Sequence, residues 1–211
     1  MKRAGRLLAV ELDQYLAQKL EGEVGSQVEV LNADFLDFPL PRDSYKVVGN
    51  VPFSITTKIV RKLVEAPNPP TDSWLIVQRE LAHRLCGRPS TNESLWSLRL
   101  KPHWHVEILE RLKRTDFDPP PSVDSVLLWI SRRGRSILTD RESKLYLKII
   151  ESAFRNGATL KQAVRPWLSK IQLRRLSIDL NFEVDEKPSA ILFEQWLGIL
   201  RFIQQSTNQG K

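Results

Sequence analysis

The 211 residues include a single cysteine, Cys86, so no internal disulfide can form and a reducing cytoplasm is the expected compartment. Only three histidines occur, His83, His103 and His105. On a strand, His103 and His105 would share one face, as two zinc ligands do, but no thiol or acidic pair stands nearby in sequence to complete a shell. No metal is therefore expected, and the histidines read as surface or RNA-facing side chains. No run approaches the roughly 18 apolar residues of a membrane-spanning helix, and no secretory-signal pattern opens the sequence. The run Leu7–Val10 is strand-sized and ends directly in Glu11.

What is present is an ordinary hydrophobic fraction, 41%, with an excess of positive charge, 32 Lys and Arg against 25 Asp and Glu. A net charge of +7 and a pI near 9.7 favour a polyanionic partner, nucleic acid or an anionic membrane surface.

Periodicity predicts strands over residues 7–11, 27–31, 45–49, 73–77, 106–112 and 125–131, with helices over about 14–21, 56–65, 79–85 and 94–100. This alternation argues for an α/β sheet, largely parallel. The character changes after Arg132-Arg133-Gly134-Arg135. Thr139 and Glu142 fit a capping box, and Leu145, Ile149 and Ala153, beside Tyr146, Ile150 and Phe154, form an apolar stripe. Further helices are predicted over 160–168, 173–180 and 191–204. The boundary is placed near residues 135–139, giving a catalytic part over 1–135 and a helical tail over 136–211. Trp74, Trp96, Trp129 and Trp196 read as core. Arg132, Arg133 and Arg135 read equally as phosphate contacts or as a solvated linker.

The most informative stretch is Asn50-Val51-Pro52-Phe53, directly after a strand expected to be buried, because loops at the carboxyl ends of parallel strands bind ligands in α/β sheets. An exocyclic adenine amine is a poor nucleophile, its lone pair being delocalised into the ring. Two acceptors on its hydrogens, the Asn50 side-chain oxygen and the Val51 carbonyl, would localise that pair. Pro52 biases Val51 away from the helical region and has no N–H to compete, and Phe53 offers a stacking face. A mere turn explains the same residues. Glu11, closing the first strand, is suited to ribose hydroxyls. Asp34, with Phe35 beside it, is suited to an adenine amine. A solvated loop acid or a helix cap is the bland alternative for both, and the better one for Asp13. The stiff Phe117-Asp118-Pro119-Pro120-Pro121-Ser122 loop would present Phe117 to an unstacked base, or serve as a rigid connector.

Residues 8–13 (LAVELD), 32–36 (NADFL), 49–56 (GNVPFSIT) and 117–127 (FDPPPSVDSVL), in this order and spacing, resemble the erythromycin-resistance (Erm) rRNA adenine-N6 methyltransferases, relatives of the small-subunit rRNA dimethyladenosine transferases. The Asn-x-Pro-Phe element is shared by many amino-group methyltransferases. The proline-rich element with Val123-Asp124-Ser125 is more specific. The resemblance implies a Rossmann-like methyltransferase sheet with a C-terminal helical domain. It also implies S-adenosylmethionine as methyl donor, 23S rRNA before subunit assembly as partner, a monomer, and macrolide-type antibiotic resistance. It assigns Glu11 to the cofactor ribose and Asp34 and Phe35 to its adenine. Asn50, with Val51 and Pro52, falls near the donor methyl and target amine, and Phe53 and Phe117 hold the target base.

The family begins with a strand and a glycine-rich loop, whereas Met1-Lys2-Arg3-Ala4-Gly5 leads straight into what reads as the second strand. The expectation is an incomplete sheet lacking its first strand and glycine-rich loop, with two unpaired edges. Two other readings stay open: a catalytically impaired RNA-binding remnant, and an adenine-specific DNA methyltransferase.

Overall fold

The computed structural model of the chain describes residues 5–89, 91–155 and 159–208. Residues 1–4, read above as leading straight into the second strand of the family's sheet, lie outside them. Two compact units are formed, residues 1–45 with 51–70, and residues 46–50 with 71–211.

The first unit pairs β1 (Leu7–Glu11) in parallel with β2 (Val28–Asn32), Glu11 standing opposite Asn32. Between them runs α1 (Gln14–Glu23), whose N-cap Asp13 accepts the Leu16 N–H at 2.9 Å, so the capping reading of Asp13 holds. The later helix of this unit, α2 (Thr56–Val64), buries Ile59, Val60 and Leu63, one stripe at helical spacing. Its entry is set by the Pro52 carbonyl, which accepts the Ile55 N–H and the Thr56 hydroxyl, each at 3.1 Å.

The second unit carries β3 (Lys46–Asn50), β4 (Asp72–Gln78), β5 (Trp104–Leu112) and β6 (Ser125–Arg132) in the order β3-β4-β6-β5. Only β3 and β4 are parallel; β6 runs antiparallel to both β4 and β5. The expectation of a largely parallel sheet is corrected for β6 alone, since β3, β4 and β5 point one way and β6 runs against them. The segment 113–124 joining β5 to β6 holds no crossover helix, and without one the two strands can only be antiparallel neighbours. A second correction concerns β3, which is not a buried strand: it lies at the sheet edge and Val48 is 81% exposed. Among the described residues β1 pairs with β2 alone and β3 with β4 alone, so each has one edge without a neighbour.

Helices α3 (Arg79–Cys86) and α4 (Leu95–Leu100) pack beside this sheet, and α5 (Asp140–Ala153), α6 (Leu160–Val164), α7 (Lys170–Asp179) and α8 (Phe193–Asn208) follow. The capping box at α5 is present: Glu142 accepts the Thr139 N–H at 2.8 Å, and this bond holds its carboxyl below the usual range. Tyr146, Ile149, Ile150 and Ala153 form the buried face and share a core with Leu98 of α4, Leu173 and Trp196. Helix α6 stops at Val164, short of the expected residue 168, because Pro166 cannot continue it. Trp196 is core as expected, while Trp74, Trp96 and Trp129 are partly covered.

His103 is half-buried and is engaged within the fold. Its ring lies between the Ser136 hydroxyl (2.8 Å) and the Ser143 hydroxyl (3.3 Å), tying the sheet to α5. Likewise Arg133 belongs to the fold, its Nε donating to the Lys101 carbonyl at 2.9 Å and its N–H to the His103 carbonyl.

Candidate active site

In the first unit the ends of β1 and β2 are stitched together. The Asn32 amide donates to the carbonyls of Glu11 (3.0 Å) and Leu12 (2.9 Å), and the Ala33 N–H donates to Glu11 (3.0 Å). This sets the Glu11 turn beside the Asp34 turn, so the sequence-nominated pair of acids does converge at adjacent strand ends. One Glu11 oxygen accepts the Asp13 N–H at 2.9 Å, and one Asp34 oxygen accepts the Leu36 N–H at 2.7 Å. Each carboxylate thus spends one oxygen on its own turn, as the bland reading anticipates, and has a second to offer a ligand donor.

Lys62 of α2 is a residue that sequence reasoning missed. Its ammonium donates to the carbonyls of Leu36 (2.7 Å) and Phe38 and sits 5.5 Å from the centre of the Phe35 ring. It therefore holds the 34–38 turn in place and fixes the ring beside Asp34. No local pattern signals this, since the contact spans 26 positions.

The Asn50-Val51-Pro52-Phe53 stretch crosses from the second unit into the first. Asn50 is the last residue of β3, which ends one residue later than the expected strand over 45–49, and is exposed. Val51 is only 6% exposed and anchors the turn, whereas Pro52 is exposed and Phe53 half-buried.

Within the second unit, register places Asn50 opposite Ile76, two positions before the end of β4. At that same end Gln78 pairs with Ser125, and Leu112 with Ser125 on the other side. The segment 113–124 therefore leaves and re-enters the sheet at the end that carries Asn50. A 3-10 turn over Arg114–Asp116 opens it. The Lys113 N–H donates to Asp116 Oδ2 at 2.9 Å, and the Phe117 N–H to the Arg114 carbonyl at 3.3 Å. Phe117 emerges half-buried from an ordered turn, followed by exposed Pro119 and Pro120.

Among the described residues no group of three metal-ligating side chains occurs, and no helix is long and apolar enough to cross a membrane. Cys86 is buried, which pushes its thiol up to about 11 and leaves it protonated.

Comparison with known proteins gives a consistent result. Residues 1–204 match the family described as ribosomal RNA adenine dimethylase. An rRNA adenine N-6-methyltransferase of Aeromicrobium erythreum is 28% identical over 211 residues, covering 97% of this chain and 61% of that protein. A ribosomal RNA small subunit methyltransferase A of Chlorobium luteolum is 32% identical over 185 residues, covering 81% of this chain and 67% of that one. The crystal structure of the 23S rRNA methyltransferase ErmE superposes with a TM-score of 0.89 at 25% identity, covering 96% of this chain and 84% of that one. The chain spans about 60% of the length of curated relatives such as the Aeromicrobium protein.

Proposed function

The chain belongs to the ribosomal RNA adenine dimethylase family, and from that premise we propose that it methylates N6 of an adenine in 23S rRNA, with S-adenosylmethionine as the methyl donor. The observation that carries the reading is the end of β3: Asn50, leading into Val51-Pro52-Phe53, stands at the sheet end from which the Phe117 segment also departs. The match to ErmE favours large-subunit over small-subunit rRNA. On the same footing the protein is proposed to work as a monomer in the cytoplasm, to confer macrolide-type resistance, and to bind RNA through residues 136–211.

The residues present suit this cofactor. Glu11 and Asp34 end adjacent parallel strands, joined through Asn32, and each has a carboxylate oxygen beyond the one its turn occupies. Glu11 would accept from the ribose hydroxyls, and Asp34 from the adenine amine, with the Phe35 ring alongside. When bound, the cofactor supplies an electrophilic methyl group on its sulfonium. The chain's own residues do the rest by alignment. The Asn50 side-chain oxygen and the Val51 carbonyl accept the two N6 hydrogens, which localises the nitrogen lone pair and aims it. Phe53 and Phe117 hold the base out of its stack.

The test is tritiated methyl incorporation into a 23S rRNA transcript, with a 16S transcript and an adenine-containing DNA duplex alongside. Asn50→Ala should lose at least about a hundredfold in rate while unfolding near the parental temperature, because Asn50 is exposed. Equal incorporation by parent and variant would refute the role of Asn50, and label in DNA alone would refute the substrate.

A further inference from the structure

We propose that Asp124 is a positioning residue that clamps the base of the 113–124 segment and so holds Phe117 in place for the target base; the second half of this rests on the function proposed above. Three contacts converge on Asp124. Arg79, the first residue of α3, places Nη2 3.0 Å from Oδ2. Arg114, the first residue of the 3-10 turn, reaches Oδ1 with Nη2 at 3.1 Å and Nε at 3.3 Å. The Arg79 N–H also donates to the Asp124 carbonyl at 2.9 Å. The segment is thereby closed on itself, Asp124 at its exit gripping Arg114 at its entrance, and the pair is moored to the end of β4.

The route from Asp124 to Phe117 is short. The Arg114 carbonyl accepts the Phe117 N–H, so fixing Arg114 fixes the turn from which Phe117 emerges. The charged groups are 42–55% exposed, so they contribute little to global stability. Their effect is local: without the carboxylate, two arginines repel each other at the mouth of the loop, and the ordering of Phe117 must be completed when RNA binds.

Charge alone predicts the opposite sign. Removing a negative group from a basic protein strengthens its attraction to phosphate, whereas loss of the clamp weakens productive binding. Asp124→Asn, nearly isosteric, therefore separates the two. In the full chain, hydrogen exchange at the Asp116 and Phe117 amides should accelerate about tenfold or more, with the melting temperature unchanged within about 1 °C and Asp124→Glu restoring part of the protection. With a 23S rRNA fragment, KM should rise about five- to tenfold with kcat within about twofold, and Asp124→Asn should add nothing further in a Phe117→Ala background. Unchanged exchange, tighter RNA binding, or an equal loss in the Phe117→Ala background would overturn the proposal. If Phe117→Ala itself leaves methylation at the parental level while Asp124→Asn still loosens the loop, the failure lies in the role given to Phe117 and not in the clamp.

Discussion

Replacing Lys62 by methionine keeps an unbranched apolar stem, one heavy atom shorter, and removes the charge and the three donors. The ammonium makes two bonds to backbone carbonyls, Leu36 at 2.7 Å and Phe38, and a cation–π contact with Phe35. Two charge-assisted bonds would be worth about 3–6 kcal/mol in a buried setting. This site is half-buried, so water replaces part of each bond, and a discount of about one half is appropriate. Adding about 0.5 kcal/mol for the ring contact, the net expectation is at least about 2 kcal/mol lost from the 34–38 turn. All six tryptophans lie in the other unit, so their fluorescence would not report this loss. The assay is hydrogen exchange at the amides of Leu36 and Phe38, both of which donate to Asp34. A local cost of about 2 kcal/mol corresponds to about thirtyfold faster exchange. If Asp34 and Phe35 hold the cofactor adenine, calorimetric titration should also show affinity for S-adenosylmethionine falling about tenfold. Parental protection in Lys62→Met would refute the tethering argument, and parental affinity with lost protection would remove the 34–38 turn from the cofactor site.

Gly87 has φ +65, and a Cβ there would lie 2.2 Å from Oε2 of the buried Glu93, so Gly87→Ala should cost about 3 kcal/mol or more by urea denaturation. Burial lowers the His103 imidazole from its ordinary 6.5, opposed by Asp140, so the unfolded chain takes up a proton first as pH falls. Its contribution is complete above about 6.5 and is lost as pH drops from there toward the folded value; His103→Gln should flatten the decline in the urea midpoint between about pH 7 and 5. Glu142 titrates in a lower window, its folded value being held below 4.5, and will not mask this. With a net charge of +7, affinity for an rRNA fragment should fall as salt rises, and affinity independent of salt would count against an electrostatic RNA surface.

Local signals in the sequence determined a good deal. The Thr139 and Glu142 capping box, the apolar face of α5 and the Asp13 cap were legible because their partners lie three or four positions away. The candidate residues Glu11, Asp34 and Asn50 were legible because each closes or follows an apolar run, and such runs become strands whose carboxyl ends carry ligand sites. Tertiary structure alone decided the rest. The direction of β6 depends on the route the chain takes between β5 and β6, to which the apolar pattern of a strand is blind. Whether β3 is covered depends on its place in the sheet, and an apolar run reads the same at an edge as at the centre. Lys62, His103 and Asp124 owe their roles to partners brought close by folding: two carbonyls for the first, two hydroxyls for the second and two guanidinium groups for the third. A polar side chain carries no mark of its partner in its own neighbourhood of sequence, because hydrogen bonds and ion pairs are set by distance in space.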